Sequence, residues 1–222
     1  MQRDSATVAS VAVAAVLLAV AVVASFVLTP GPGPVTGQEA VDEFLAAWRA
    51  SRLGTYVAET TFEREAPNGT LTAPGRIVQR PPDRIVEQFG GVDGRLAGKV
   101  LRCATDPAGR YACTQEAGAG DYEEDVDREL ATLASYFVEP KPLYRVSGDG
   151  HGCFRLALSL AFPSAPYGDG AQFCFDEATG APLLTRIVRE EGTDTTRTTT
   201  VRADVTDEDL EVPDQPPEAS TG

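Results

Sequence analysis

Four cysteines, one histidine and two acidic clusters are the residues of this 222-residue sequence whose chemistry could go beyond packing. Cys103, Cys113, Cys153 and Cys174 allow three pairings in principle. Asp106-Pro107-Ala108-Gly109 has the composition of a type I turn, and folding the chain there sets Cys103 opposite Cys113. From Cys153 to Phe162, the residues Phe154, Leu156, Leu158, Leu160 and Phe162 alternate with Cys153, Arg155, Ala157, Ser159 and Ala161. Phe173 and Phe175 flank Cys174, so one antiparallel register puts Phe154 across from Phe173 and Cys153 across from Cys174. Two structural disulfides, 103–113 and 153–174, are expected, and such bonds persist outside the cytoplasm. Neither pair has the C-x-x-C spacing of a redox site, and one histidine is too few for a Cys/His zinc site.

The remaining candidates have simpler readings. His151 sits in Gly148-Asp149-Gly150-His151-Gly152, a hairpin-turn sequence with no nucleophile motif near it. Asp121, Glu123, Glu124, Asp125 and Asp127 complement the dipole of a helix N-terminus. Asp204, Asp207, Glu208 and Asp209 lack the spacing and central glycine of a calcium loop and read as a solvated acidic face. Asn68-Gly69-Thr70 matches a glycosylation sequon but reads as a turn. No catalytic residue, cofactor or metal is expected, and the chain reads as a non-enzyme. A formal charge of −14 also argues against nucleic acid as a partner.

The elements that must carry these residues begin with an uncharged run, Val8–Leu28. As a helix it would be roughly 30 Å long, the thickness of a bilayer core. Arg3 precedes it and no Lys or Arg follows before Arg49, so residues 1–7 are expected in the cytoplasm and everything after the anchor outside the cell membrane. A cleaved signal peptide is the alternative reading. Residues 29–37, with Pro30-Gly31-Pro32-Gly33-Pro34, read as a stiff linker, 38–213 as one extracytoplasmic domain, and 214–222 as a disordered tail.

Within the domain, Val41, Phe44, Leu45 and Trp48 recur at helical spacing after Thr36 and Glu39, which resemble a capping box, and Gly54 is a stop. Trp48 reads as a core anchor. A second helix is predicted over 122–137, with Tyr122, Val126, Leu130, Leu133 and Phe137 inward and Asp121 and Glu124 at its cap. Strands are predicted after Thr55, with Tyr56, Ala58, Thr60 and Phe62 on one face; on either side of Pro81-Pro82-Asp83; from Arg95 to Cys103; over 153–162; and over about 183–190 and 195–204.

The segment Phe173-Cys174-Phe175-Asp176-Glu177-Ala178-Thr179-Gly180-Ala181-Pro182-Leu183-Leu184 resembles a strand–turn–strand unit of the LolA-like superfamily of extracytoplasmic lipoprotein carriers. It is also similar to RseB-like envelope regulators and to LppX/LprG-type lipoproteins. The resemblance spans about residues 38–212, with its recognisable part at 173–205. It implies an α+β fold: a curved, half-barrel-like antiparallel sheet closed by two or more helices, here behind an N-terminal transmembrane helix. It further implies an apolar cavity for a lipid or a lipoprotein acyl chain but carries over no ligand residue; the apolar strand faces make Phe154, Leu156, Leu158, Leu160, Phe173 and Phe175 the expected lining. Packing of the same stripe against helices would instead fill it. An anchored domain cannot shuttle cargo between membranes, so local binding of an apolar ligand is expected. The alternative is a sensory or regulatory partner of another membrane protein, in sigma-factor or envelope-stress control.

Overall fold

The computed structural model describes residues 34–106, 110–160, 162, 164–212 and 220–221. The expected anchor at 8–28, the short segment before it, residues 107–109 of the Asp106 turn and most of the tail lie outside them. Among the described residues no helix is long and apolar enough to cross a membrane.

Among the described residues two α-helices, α1 (Gly37–Leu53) and α2 (Tyr122–Ala134), accompany one antiparallel sheet. Its strands are β1 (Val35–Thr36), β2 (Tyr56–Ala66), β3 (Gly69–Arg80), β4 (Asp83–Gln88), β5 (Gly91–Leu96), β6 (Lys99–Thr105) and β7 (Tyr111–Ala117). Then come β8 (Tyr144–Gly148), β9 (Cys153–Leu158), β10 (Gly170–Phe175), β11 (Pro182–Arg189), β12 (Gly192–Arg202) and β13 (Ser220–Thr221). The strand order is β1-β8-β9-β10-β11-β12-β2-β3-β4-β5-β6-β7, with β13 on the free side of β3. Two-residue turns close β3–β4, β4–β5, β5–β6 and β11–β12, which is why so long a meander fits so few residues.

Alternation along each strand gives the sheet two faces. The inner face carries Tyr56, Ala58, Thr60 and Phe62, as the spacing predicts, and continues through Phe154, Leu156, Phe173 and Phe175. At the β8–β10 end α1 lies on it, and Phe44 meets Phe154, Phe173 and Phe175 at centroid distances of 5.4, 5.6 and 6.5 Å. Leu133 and Phe137 close this core from α2 and the 3-10 turn after it. The outer face buries Val57, Val78, Ile85, Val92, Leu101 and Cys103 beneath Leu210 and Val205.

The disulfides join Cys103 to Cys113 and Cys153 to Cys174, each pair directly opposite in register, and Phe154 lies across from Phe173. Asp121 caps α2 by accepting from the Glu124 amide at 3.0 Å. Other expectations need correction. Thr36 stands at the N-cap of α1 but makes no side-chain capping bond. The single strand expected from Arg95 to Cys103 is a hairpin, because Ala97 and Gly98 both take positive φ, 50° and 73°, and turn β5 into β6. Strand β9 stops at Leu158 because β10 begins at Gly170, opposite Ala157, and offers no partner further on. Leu160 and Phe162 are consequently exposed, and Leu130 is only half-buried.

Candidate functional site

The turn that carries the family resemblance is built as its residues require. Asp176 accepts from the Thr179 amide and hydroxyl at 2.9 and 2.7 Å, Gly180 takes φ 75°, and Pro182 opens β11. Its neighbour explains the glycines. A Cβ on Gly54 would stand 2.2 Å from the Thr179 carbonyl, and one on Gly180 would stand 2.7 Å from the Ala50 carbonyl. The turn thus locks the end of α1 against the sheet, fixing which part of the inner face the helix covers.

Where α1 lies, the inner face is packed. Phe154, Leu156, Phe173 and Phe175 are all buried in the core that Phe44 and Trp48 complete, and Leu158 is packed at its margin. Trp48 is the anchor its spacing suggests, with its indole N–H donating to Glu129 at 2.9 Å. Leu160 is exposed and lies outside the strand. None of these six expected lining residues borders the open part of the inner face.

That open part lies beyond α1, across β11, β12, β2, β3 and β4. Two adjoining hollows of about 360 and 160 Å³ share Gln88, Thr185 and Thr196. Side chains from β11 and β4, four strands apart in the order, border the same hollow, so the sheet curls toward this face. The larger hollow has an apolar floor of Phe62, Leu71, Phe89 and Ile187; the smaller adds Ile77, Val86, Thr60 and Thr198. The groove is therefore largely aliphatic and threonine-lined, with Gln88 and Glu87, ion-paired to Arg76 at 3.6 Å, as its further polar residues.

Its mouth is ionic. Arg64 grips Asp194 with two bonds of 2.5 and 2.6 Å, and Arg189 adds a third at 2.9 Å. Chiefly through Arg64, these guanidiniums hold the Asp194 carboxyl below the usual carboxylate range. The opposite lip is Phe89, 52% exposed, at φ 54° in the Phe89-Gly90 turn and edge-on to Phe62 at 4.3 Å. A bulky residue in the left-handed region costs backbone energy, and such positions cluster at functional sites. Along β4 on the same face, Arg84 is pushed down to about 10, mainly by burial and then by Arg52, and remains a cation at neutral pH.

Sequence reasoning placed Phe62 on the correct face but overlooked Phe89, Ile187 and Thr196. The available signals were an aromatic inside a turn, at Phe89-Gly90, and the threonine alternation of β12. His151 lies in the β8–β9 turn, as its glycines suggest, its amide donating to Asp149. The 204–209 cluster is not wholly solvated: Asp209 is buried and receives Arg76 at 2.6 Å, Arg202, and Thr206 through both its amide and its hydroxyl.

No protein-family model matches the chain, and no curated protein matches it in sequence. Among solved structures it is similar to MucB, at 17% identity and a TM-score of 0.43 over 82% of this chain and 66% of that one. It is also similar to a chain of the Pseudomonas aeruginosa MucA/MucB complex, at 16% and 0.40 over 79% and 61%. A third is a LolA superfamily protein from Nitrosomonas europaea, at 8% and 0.33 over 80% and 98%. The chain thus spans about three fifths of the complexed MucB-type chain. The third of these is named as a LolA superfamily protein. With TM-scores below 0.5, the likenesses assign neither ligand nor partner to this chain.

Proposed function

We propose that this chain is a non-catalytic, membrane-tethered extracytoplasmic domain that holds the apolar part of an amphiphile in the inner-face groove. The observation that carries the reading is the groove itself. It is an unfilled, aliphatic stretch of a curved sheet, with an exposed aromatic lip on one side and the Arg64–Asp194–Arg189 cluster on the other. An acyl chain laid on Phe62, Ile77 and Ile187 would leave water, and its polar end would meet the ionic mouth. The core stripe of Phe154 and Phe173 would join the binding surface only if α1 moved away. Placement outside the cytoplasm draws on the two disulfides and the uncharged run 8–28.

Displacement of a fluorescent lysophospholipid from the purified protein tests the groove. Saturable binding should weaken about tenfold in Ile187→Asp, the worth of one buried aliphatic side chain. Unchanged binding in that variant would contradict the assignment.

A second reading, a regulatory contact with another membrane protein, is favoured by β7. Among the described residues this edge strand pairs only with β6, its side chains are almost all exposed, and it carries no proline or lysine to discourage pairing. A partner segment could add to it as a further strand. Crosslinking from β7 that captures one stoichiometric membrane protein would support this role.

A further inference from the structure

We infer that the outer face of strands β8–β12 docks on an anionic phospholipid surface through Arg145, Arg155, Arg186 and Arg197. All four side chains are exposed, and none has an ion-pair or hydrogen-bond partner among the described residues. Most other arginines in the described residues are in ion pairs, Arg64, Arg76, Arg95, Arg189 and Arg202 among them. Register makes the four a patch. Arg155 lies opposite Gln172, which lies opposite Arg186; Arg197 is diagonal to Arg186, and Arg145 is diagonal to Arg155. At normal strand spacing Arg155 and Arg186 stand ~10 Å apart, a separation suited to neighbouring headgroups.

Charge in the domain is segregated accordingly. Strands β8–β12 hold six arginines and a single acid, Asp194, which faces inward. Helices α1 and α2, on the opposite face, hold eight acids and three arginines. A chain of formal charge −14 is repelled by an anionic bilayer in most orientations, and this face is the one that would be attracted. Glu63 and Glu65 of β2 bound the patch on the far side, opposite Thr195 and Thr193.

The chain's entry point favours a membrane over an acidic protein as the occupant. Pro34, the first described residue, borders a hollow of about 250 Å³ with Ser147, Cys153, Arg155 and Gln172 on this same outer face, where Asp149 of the β8–β9 turn is the one acid in its lining. If 8–28 is the anchor, residues 29–33 give a tether of at most about 20 Å, which keeps the surface around Pro34 and Arg155 within reach of the headgroups. The inference rests on the tethered reading proposed above. Docking this way would turn the helices and the groove mouth away from the bilayer.

The test is phenylglyoxal footprinting of the full chain in nanodiscs of phosphatidylcholine or of phosphatidylglycerol, read by mass spectrometry. Modification of the four arginines should slow about fivefold or more in phosphatidylglycerol, the worth of a basic side chain at an anionic surface. High salt should restore it. Arg102, exposed on the inner face of β6 with no ion-pair partner among the described residues, is the internal control and should react equally in both discs. Equal modification of the four in both lipids overturns the inference while leaving the tether intact. Failure of the chain to enter either disc overturns the tethered reading, and the inference with it.

Discussion

The inner face of the sheet is one continuous surface that behaves in two ways. Over β8–β10 it is aromatic, and α1 fills it with Phe44 and Trp48; over β11, β12 and the parts of β2–β4 beyond Tyr56 and Gln79, which bond to the end of α1, it is threonine-rich and open. The difference lies in side-chain demand. Phe154, Phe173 and Phe175 each bury a large apolar area and draw a helix onto themselves, whereas Thr185, Thr196 and Thr198 tolerate water and leave room for a guest. The most apolar stripe of a sequence is thus a guide to where a helix packs. Space for a ligand is left on the moderately apolar strands beside it.

Five variants sharpen or break this comparison. The largest effect is expected in the filled half. Phe44 is fully buried among four aromatic neighbours of the sheet and α1 and a fifth, Phe137, so Phe44→Ala should cost about 3–5 kcal/mol in denaturant unfolding. A loss below ~1 kcal/mol would mean that α1 is not seated on β8–β10 as described. Next come the bridges: replacing Cys153 and Cys174 together by Ser should cost ~3 kcal/mol, and the shorter 103–113 loop slightly less.

Asp209→Asn, on the outer face, should cost about 2–3 kcal/mol by weakening its bonds to Arg76 and Arg202. Burial would raise the Asp209 carboxyl, but Thr206 and Arg202 outweigh it and hold it well below the ordinary range. A depressed native pKa means its stabilisation is present above the unfolded value of ~3.9 and disappears as pH falls below it. Acid unfolding of the wild type should therefore steepen below about pH 4 more than that of Asp209→Asn. Parallel curves would remove Asp209 from the account. The smallest stability effect is expected at the lip. In Phe89→Gly, relief of the left-handed backbone offsets the lost contact with Phe62, leaving a change within ~1 kcal/mol while ligand affinity falls.

Much of the frame was readable from the residues. The 153–174 disulfide and the Phe154–Phe173 register followed from alternation, because a one-residue slip would have turned every phenylalanine to the wrong face, and the 103–113 disulfide followed from the turn sequence between its members. What escaped depended on partners distant in sequence. The alternation runs on to Phe162, but the strand ends where β10 ceases to oppose it. Ala97 hid a turn because alanine seldom takes positive φ. Asp209 looked like one more surface acid until Arg76, 133 residues away, was placed beside it. The groove was illegible because it is defined by what does not cover it: no pattern within β11 or β12 states that α1 stops short of them.

Photo-crosslinking with a diazirine-bearing lysophospholipid tests the central claim most directly, because it reports where the apolar chain lies. Peptides containing Phe62, Phe89 and Ile187 should carry the label, and excess unlabelled lipid should suppress it. Label confined to peptides around Phe154 and Phe173, or none anywhere in the domain, would contradict the groove as the binding site.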